Sequence, residues 1–311
     1  MRSSRFSYAA KDGKQIAACM WLPDMPPRGL VQIVHGIGEH MQRYADFASE
    51  LVSHGFGVYA EDHRGHGETA GSVEALGWFA ETDGWDLVVD DLYRLTQRMR
   101  TDHPKPPLFL LGHSMGSLLS RSYIVLHGED LAGVILSGTA GDPGLLGVIG
   151  GALARREVRK VGSRAKSVRL NRIAFGAYNK RIVPHRTDFD WISRDTIVVD
   201  RYMADPYCGF IPSASLFKDL LEGVLAVNRF DLIRRIPAKL PVFIFSGDAD
   251  PVGAYGKGVQ KVAALFKKAG VKDVTLRLYR ECRHECLNEL NRAEVYHDVI
   301  DWINAHMEVR R

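Results

Sequence analysis

Short apolar runs alternate with amphipathic stretches along most of the chain, and this repeat is compatible with few folds. The run at residues 30–34 leads through a glycine-containing loop to an amphipathic stretch at 44–53. The same unit recurs with a run at 57–60 and a helical pattern at 86–99, and a third unit spans 108–126. Strand, loop and helix in this order form parallel crossover units. The pattern therefore predicts an α/β fold with a mostly parallel sheet and helices on both faces.

Two regions depart from the repeat. Near the start, apolar runs flank Asp12 and Gly13, a two-residue hairpin signal that predicts an antiparallel edge to the sheet. Residues 139–212 contain glycines, basic residues and aromatic residues without a regular period. A structureless loop of that length is rare in a compact domain, so we expect an inserted, partly helical cap there. The core then comprises residues 1–138 and 213–311.

Composition fits a soluble globular protein. The 311 residues are 46% hydrophobic and 25% charged, which argues against a disordered or fibrous chain. No stretch approaches the roughly 20 apolar residues of a membrane-spanning helix, and the start of the chain lacks the apolar centre of a signal peptide. The four cysteines have no framework-like spacing and are expected to be reduced. Together these features predict a cytoplasmic protein.

Positive charge is concentrated in residues 151–186, which we call the basic stretch. It holds eleven basic residues and one acidic residue, Glu157, whereas the net charge of the whole chain is +4. A solvated surface explains such a cluster, and so does a surface that contacts an anionic partner, such as the inner face of a phospholipid membrane. The stretch lacks the interleaved aromatic residues of a nucleic-acid platform, so we expect no nucleic-acid partner.

The sequence GHSMG at residues 112–116 lies between a predicted strand and a predicted helix. It fits the Gly-x-Ser-x-Gly nucleophile turn, in which glycines allow a strained backbone and close packing. Ser114 would then lie at a helix N-terminus, where the helix dipole and free amides favour a developing oxyanion. A purely structural turn can also contain two glycines, but the strand-to-helix context favours a nucleophile. We predict that Ser114 is the catalytic serine.

A serine nucleophile needs a base that accepts its proton and a carboxylate that orients the base. The turn after a late predicted strand offers Asp248 and Asp250. We predict Asp250 as the acid because Asp248, next to a glycine, is typical of a residue that shapes a turn; the reverse assignment stays open. Of the downstream histidines, only His284 follows a strand in a loop, whereas His297 and His306 fall within the last predicted helix. His284 is therefore the predicted base.

Two backbone amides complete the predicted site. Acyl transfer on this kind of turn uses the amide after the nucleophile and one from an earlier strand-to-helix loop. Met115 supplies the first, and Ile37 in the sequence HGIG at residues 35–38 supplies the second. The alternative for that loop is a turn that serves packing alone. A nucleotide-binding loop is not expected because the third glycine is missing at the required offset.

Three potential metal ligands lie close together in the sequence: Cys282, His284 and Cys286. Their spacing does not match that of zinc sites, however, and the sequence offers no second pair of ligands with suitable spacing. We therefore expect neither a metal nor any other cofactor.

These motifs together resemble the monoacylglycerol lipase and bacterial lysophospholipase branch of the α/β-hydrolases. HGIGEH at residues 35–40, with Arg43 and Tyr44, looks like the oxyanion loop of that branch, and DHRGHG at 62–67 looks like its next loop. The serine turn, the acid turn and the histidine loop extend the resemblance over nearly the whole core. The resemblance implies an α/β-hydrolase sheet that carries these loops at one edge.

The predicted cap resembles the same branch only in part. Residues 188–195 and 205–210 look like bacterial lysophospholipase-like members, whereas the basic stretch has no counterpart that we recognise. The resemblance implies hydrolysis of a small-molecule fatty acyl ester through an acyl-enzyme, without a cofactor. One departure is Glu68-Thr69-Ala70, where members commonly have Arg or Lys followed by Ser. Contacts near that loop should therefore differ.

Fold alone does not determine the substrate, because relatives with the same catalytic residues cleave other bonds. A short-chain carboxylesterase, a thioesterase and a proline-iminopeptidase-like peptidase are alternatives. An aminopeptidase needs carboxylates for the free amine of its substrate, and the basic stretch argues against that. A non-catalytic binding protein is disfavoured because Ser114, Asp250 and His284 are all present. The sequence predicts no particular oligomeric state.

Overall fold

An eight-stranded sheet forms the centre of the protein in our computed structural model, which describes residues 2–307. The strands are β1 Arg2–Ala9, β2 Gln15–Leu22, β3 Gly29–Val34, β4 Phe56–Glu61, β5 Leu108–His113, β6 Gly133–Ser137, β7 Val242–Gly247 and β8 Val274–Tyr279. Their order in the sheet is β1-β2-β4-β3-β5-β6-β7-β8. β1 and β2 pair antiparallel, as do β2 and β4, whereas the other neighbours are parallel. The hairpin predicted at Asp12 and Gly13 is thus confirmed as the antiparallel edge.

Helices cover both faces of this sheet. They are α1 Ala45–Ser53, α2 Gly84–Asp102, α3 Met115–His127, α4 Gly144–Val161, α5 Val168–Phe175, α6 Thr196–Ala204, α7 Ala214–Val227, α8 Phe230–Ile233, α9 Lys257–Lys268 and α10 Arg292–Ala305. Apolar residues of α1 and α10 pack on one face, and those of α2, α3 and α9 pack on the other. The sheet therefore separates two apolar layers, as in other α/β proteins.

Alternation along the central strands supplies both layers. In β5, Leu108 and Leu110 belong to one apolar cluster, while Phe109 and Leu111 belong to the other. All six residues of β5 are buried. A parallel strand buried on both faces has a continuous apolar sequence, which is why these strands could be recognised as short apolar runs. The predicted α/β-hydrolase sheet is confirmed.

Residues 139–212 connect β6 to α7 through α4, α5, α6 and short 3₁₀ turns. This region has two small apolar clusters that are separate from the clusters on the sheet. One joins Ala154 and Leu170 to Phe217 of α7, and the other contains Ile192, Val199, Tyr202 and Cys208. The Tyr202 hydroxyl donates to the Gly38 carbonyl oxygen at 2.8 Å, which places this region against the loop after β3.

The four cysteines are buried free thiols. The Cys282 thiol donates to Asn291 Oδ1 at 2.9 Å, and the Cys286 thiol donates to the Arg283 carbonyl oxygen at 3.7 Å. Within residues 2–307, none of the helices combines the length and the apolar character needed to cross a membrane.

Candidate active site

Ser114 lies in a sharp turn between the end of β5 and the start of α3. Its backbone has φ 53° and ψ −121°, a conformation that non-glycine residues rarely adopt. A Cβ atom on Gly112 would lie 2.3 Å from the Ser120 hydroxyl oxygen, and one on Gly116 would lie 2.0 Å from the Val34 carbonyl oxygen. Close packing therefore requires both glycines. The turn places Ser114 at the N-terminus of α3.

His284 lies in the loop after β8 and Asp250 in the turn after β7, and their side chains are in contact. The His284 Nδ1 atom is 3.0 Å from the Asp250 Oδ2 atom, and both residues are buried. Asp250 also accepts hydrogen bonds from the Ser246 hydroxyl at 2.9 Å and the Val252 amide at 2.8 Å. These bonds fix the carboxylate, which orients the imidazole ring with Nε2 directed away from Asp250.

Ser114 and His284 line the same cavity, which we call the serine cavity. Its volume is about 530 Å³. Its apolar lining includes Met115, Leu118, Leu220, Leu221, Val224 and Val252. Among the described residues, Ser114 Oγ makes no hydrogen bond to His284. Such catalytic bonds are often loose without substrate and tighten when the substrate binds.

The electrostatic environment favours a base at His284. Burial alone would lower the pKa of His284, but the Asp250 carboxylate and its hydrogen bond raise the pKa above the ordinary histidine value. The neighbouring His113 ring lies 4.7 Å away between centroids, and burial, then the charge of His284, lower its pKa to about 4. Of this pair, His284 therefore holds a proton more readily than His113.

The other acid and base candidates lie away from the serine cavity. Asp248 is exposed, and its Oδ1 atom accepts a hydrogen bond from the Glu281 amide at 2.6 Å. This bond joins the turn after β7 to the loop after β8. His297 is exposed on α10, and His306 pairs with Asp273 at 3.0 Å. None of the three candidates contacts Ser114 within the described part of the chain.

Two backbone amides near Ser114 are free to bind an oxyanion. The amides of Ile37 and Met115 donate to no group among residues 2–307. Gly36 packs against the serine, since a Cβ atom at Gly36 would lie 3.1 Å from the Ser114 Cβ atom. The Gly36 amide itself donates to Glu39 Oε1 at 2.6 Å. Ile37 therefore offers the free amide on this loop.

A buried ion-pair network, which the sequence patterns did not predict, joins the oxyanion loop to the histidine loop. Arg43 donates to Glu39 at 2.8 Å and to both carboxylate oxygens of Glu285 at 2.7 and 2.6 Å. Glu39 binds the Gly36 amide, and Glu285 directly follows His284 in the chain. In the sequence, Arg43 could be recognised only as part of a motif, and it lies 242 positions from Glu285. Local sequence patterns cannot reveal a contact between residues that lie so far apart in the chain.

Trp191, from the region between β6 and α7, also contacts the histidine loop. Its ring centroid lies 5.1 Å from that of His284, and its carbonyl oxygen accepts the His284 amide at 3.3 Å. The next carbonyl, of Ile192, accepts the Glu285 amide at 2.7 Å. These backbone bonds hold the histidine loop against residues 139–212. No sequence motif pointed to this role for Trp191.

The loop at residues 62–67 supports the oxyanion loop. Asp62 accepts hydrogen bonds from the Met41 amide at 2.8 Å and the Glu68 amide at 2.7 Å. The Thr69 hydroxyl oxygen accepts the Ala17 amide at 2.8 Å. The unusual Glu68-Thr69-Ala70 segment therefore contacts the β1–β2 edge, and these three residues do not line the serine cavity.

One group of three possible metal ligands lies close together within residues 2–307: His40, Asp205 and Cys208. His40 already pairs with Asp205 at 2.9 Å. Burial raises the pKa of the Cys208 thiol, which disfavours the thiolate that a metal requires. These three residues do not line the serine cavity.

Known proteins share the whole fold. Residues 25–291 match the family described as serine aminopeptidase, S33. A monoacylglycerol lipase from Mycolicibacterium smegmatis is 31% identical over 98% of this chain and 98% of its own. The human monoglyceride lipase is 26% identical over 94% of this chain and 88% of its own.

Among solved structures, a thermostable carboxyl esterase from Bacillus coagulans in complex with glycerol superposes with a TM-score of 0.92. It is 30% identical, and the match covers 99% of this chain and 100% of the esterase. The family match covers most of the chain, and the Mycolicibacterium smegmatis relative is 31% identical over 98% of it. The chain therefore belongs to the serine aminopeptidase S33 family of α/β-hydrolases and is a serine ester hydrolase.

Proposed function

We propose that Ser114, His284 and Asp250 form the catalytic triad of this hydrolase. Ser114 Oγ attacks the ester carbonyl carbon while His284 Nε2 accepts the hydroxyl proton. Asp250, at 3.0 Å from Nδ1, stabilises the imidazolium that forms. The free amides of Ile37 and Met115 bind the negatively charged oxygen of the tetrahedral intermediate. The raised pKa of His284 suits this role, because the base must hold the proton until the next step.

The intermediate then collapses to an acyl-enzyme. The bond between the carbonyl carbon and the alcohol oxygen breaks, and His284 donates its proton to the departing alcohol. A water molecule next gives a proton to His284 and attacks the acyl carbon. The bond between that carbon and Ser114 Oγ then breaks, and Oγ takes the proton from His284, which releases the fatty acid and restores the Ser114 hydroxyl. None of these steps requires a metal or an organic cofactor.

The substrate is a fatty acyl ester of the monoacylglycerol or lysophospholipid type. The observation that carries this proposal is the apolar serine cavity of about 530 Å³ directly beside the nucleophile. A cavity of this size and lining suits an acyl chain. The names of the relatives, which include monoacylglycerol lipase and monoglyceride lipase, support the same class.

A peptide substrate is the alternative that the family description raises. Its free amine would need an unpaired carboxylate in the serine cavity. Glu39 and Glu285 line this cavity, but both are paired with Arg43. The third carboxylate on the lining, Asp142, is exposed and accepts the Gly144 amide at 2.8 Å. An uncharged acyl group fits this lining better than an ammonium group.

Acyl-chain dependence tests the proposed substrate class. We expect kcat/KM for 1-monoacylglycerols to rise from butanoyl to longer chains, by up to about fourfold per methylene group, because each buried methylene contributes about 0.8 kcal/mol. The rise should stop when the serine cavity is full. The Ser114→Ala variant supplies the background rate. A profile that is highest for butanoyl and falls thereafter would instead identify a short-chain carboxylesterase.

Residues 139–212 are, in our proposal, a cap over the serine cavity, and α4 is its membrane-facing helix. Support comes from the exposed apolar residues in the first turns of α4, including Leu145 and Leu146, which are 80% and 79% exposed. Asp142 and Pro143, directly before α4, line the serine cavity. The far end of the helix is basic. An anionic bilayer would meet the apolar start and the basic end together.

Vesicle binding tests the membrane contact. We expect stronger binding to phosphatidylglycerol-containing vesicles than to neutral phosphatidylcholine vesicles, and weaker binding at high salt, because salt screens exposed charges. The variant Arg156→Gln/Arg159→Gln/Lys160→Gln should lose most of this preference. A control that removes equal charge outside the cap, Lys267→Gln/Lys268→Gln/Lys272→Gln, should keep it. Equal binding to both vesicle types at low salt would refute the contact and leave the basic stretch as a solvated surface.

A further inference from the structure

The structure separates the basic stretch into residues with partners and residues without them. Five arginines have partners: three pair with carboxylates and two stack on aromatic rings. The ion pairs are Arg155 with Glu222, Arg169 with Glu157 and Arg186 with Asp200, and the stacked pairs are Arg164 on Trp78 and Arg181 on Tyr255. Six basic residues of the stretch form no ion pair with any described residue: Arg156, Arg159, Lys160, Lys166, Arg172 and Lys180. Arg172 and Lys180 differ from the other four in that they line a cavity.

Arg172 and Lys180 line a second cavity, which we call the outer cavity. Its volume is about 700 Å³, and exposed residues on its lining show that it opens to solvent. Asp188 is the one carboxylate among the residues that line it, so the two cations leave the lining with a net positive formal charge. The lining also contains His185. The outer cavity is thus more basic than the apolar serine cavity.

The two cavities meet at the oxyanion loop. Four residues line both of them: Ile37, Phe175, Trp191 and Tyr202. The ester carbonyl oxygen, held at the Ile37 amide, would lie at the boundary between the cavities. An ester bound there would direct its acyl chain into the serine cavity and its alcohol portion into the outer cavity.

We propose that the outer cavity binds a phosphate-bearing glycerol head group, so that the preferred substrate is a fatty acyl ester of glycerol phosphate rather than a neutral monoacylglycerol. Arg172 and Lys180 bind the phosphate. Charge-assisted hydrogen bonds of this kind are stronger than neutral ones. The proposal rests on the ester hydrolysis proposed above and specifies its head group.

Short, soluble esters test this proposal without a lipid surface. The rates to compare are kcat/KM for 1-hexanoylglycerol 3-phosphate and for 1-hexanoylglycerol. We expect the protein to prefer the phosphate ester by about tenfold or more. The variant Arg172→Gln/Lys180→Gln should lose that preference while its kcat/KM for 1-hexanoylglycerol stays within about twofold. The charge-conserving Arg172→Lys/Lys180→Arg variant should retain most of the preference.

A matched control separates a local effect from a change in net charge. Arg156→Gln/Arg159→Gln removes the same charge from α4 residues that line neither cavity, and its preference should equal that of the unaltered protein. Calorimetric titration of the inactive Ser114→Ala protein with 1-hexanoylglycerol 3-phosphate gives a readout that needs no turnover. Binding should weaken by about tenfold when Arg172 and Lys180 are also replaced.

The failures of the two proposals are distinguishable. A protein that cleaves neither ester but binds the phosphate ester through Arg172 and Lys180 would refute the proposed hydrolysis and keep the head-group site. A protein that cleaves both esters, with the same ratio before and after Arg172→Gln/Lys180→Gln, would overturn the head-group site and keep the hydrolase.

Discussion

At the scale of single residues, the absence of a Cβ atom at one glycine allows the turn that holds Ser114, the proposed nucleophile. Gly116 is helical, and alanine normally stabilises a helix relative to glycine by about 1 kcal/mol. A Cβ atom there would, however, lie 2.0 Å from the rigid Val34 carbonyl oxygen. Backbone cannot move aside as a side-chain end can, so steric overlap outweighs helix propensity at this position.

The Gly116→Ala variant should therefore be destabilised by about 3 kcal/mol or more, since overpacking against backbone lies at the severe end of such changes. Gly150→Ala is the matched control: it is also a helical glycine, but its Cβ atom would lie 3.5 Å from Leu221, an ordinary contact. Chemical denaturation of both variants provides the comparison. Equal stabilities of the two variants would show that the turn tolerates a side chain and is less tightly packed than described.

In the proposed mechanism, the His284 and Asp250 pair determines how activity depends on pH. His284 must be neutral to accept the Ser114 proton, so kcat/KM should fall as pH decreases through its pKa. Asp250 raises that pKa, so Asp250→Asn should move the acidic limb of the profile to lower pH and also reduce kcat. Asp248→Asn should change neither the acidic limb of the pH profile nor kcat. The opposite result for the two aspartates would reverse the acid assignment.

At the scale of elements, the catalytic loops are held together by side chains rather than by the sheet alone. Arg43 connects the loop after β3 to the loop after β8, and its partners Glu39 and Glu285 are only 3% and 6% exposed in their side chains. Removing one member of a buried ion pair leaves an uncompensated charge, which costs about 3–5 kcal/mol. Arg43 is thus a positioning residue for both loops.

We expect Arg43→Met to lower the free energy of unfolding by about that amount and to reduce kcat more than it raises KM. The reason is that both the Ile37 amide and the His284 ring would lose their support. Arg43→Lys keeps the charge but not the bidentate geometry. Its free energy of unfolding and its kcat should therefore lie between those of the unaltered protein and those of Arg43→Met. Unchanged kcat in a folded Arg43→Met protein would limit the network to a role in stability.

Helices and strands differ in how far the sequence revealed them. The apolar run predicted at residues 30–34 and the helical pattern predicted at 86–99 lie within β3 and α2, because apolar or amphipathic periodicity is strong there. The start of α3 was predicted from the serine turn rather than from periodicity, since Gly116, Ser117 and Ser120 are poor helix formers that tertiary packing holds in a helix. β1 is largely exposed, and such an edge strand carries little apolar signal.

At the scale of the whole molecule, the sheet was predictable and the arrangement of residues 139–212 was not. Parallel strands that are buried on both faces can be recognised in a sequence as apolar runs. The order of these strands in the chain then determines where the loops that follow them meet. Residues 139–212 pack in small clusters against loops of the core, so no long period marks α4, α5 or α6. The two cavities, the free cations Arg172 and Lys180 and the Arg43 network all depend on contacts between distant segments.

The central claim is that Ser114 forms an acyl-enzyme with fatty acyl esters, and covalent labelling tests it most directly. Intact-mass and peptide mass spectrometry after treatment with a fluorophosphonate should show one adduct per chain, located on Ser114. Labelling should be absent in Ser114→Ala and greatly slowed in His284→Ala, and both variants should lose about three to six orders of magnitude in kcat. An adduct on another residue, or near-normal turnover by Ser114→Ala, would contradict the account.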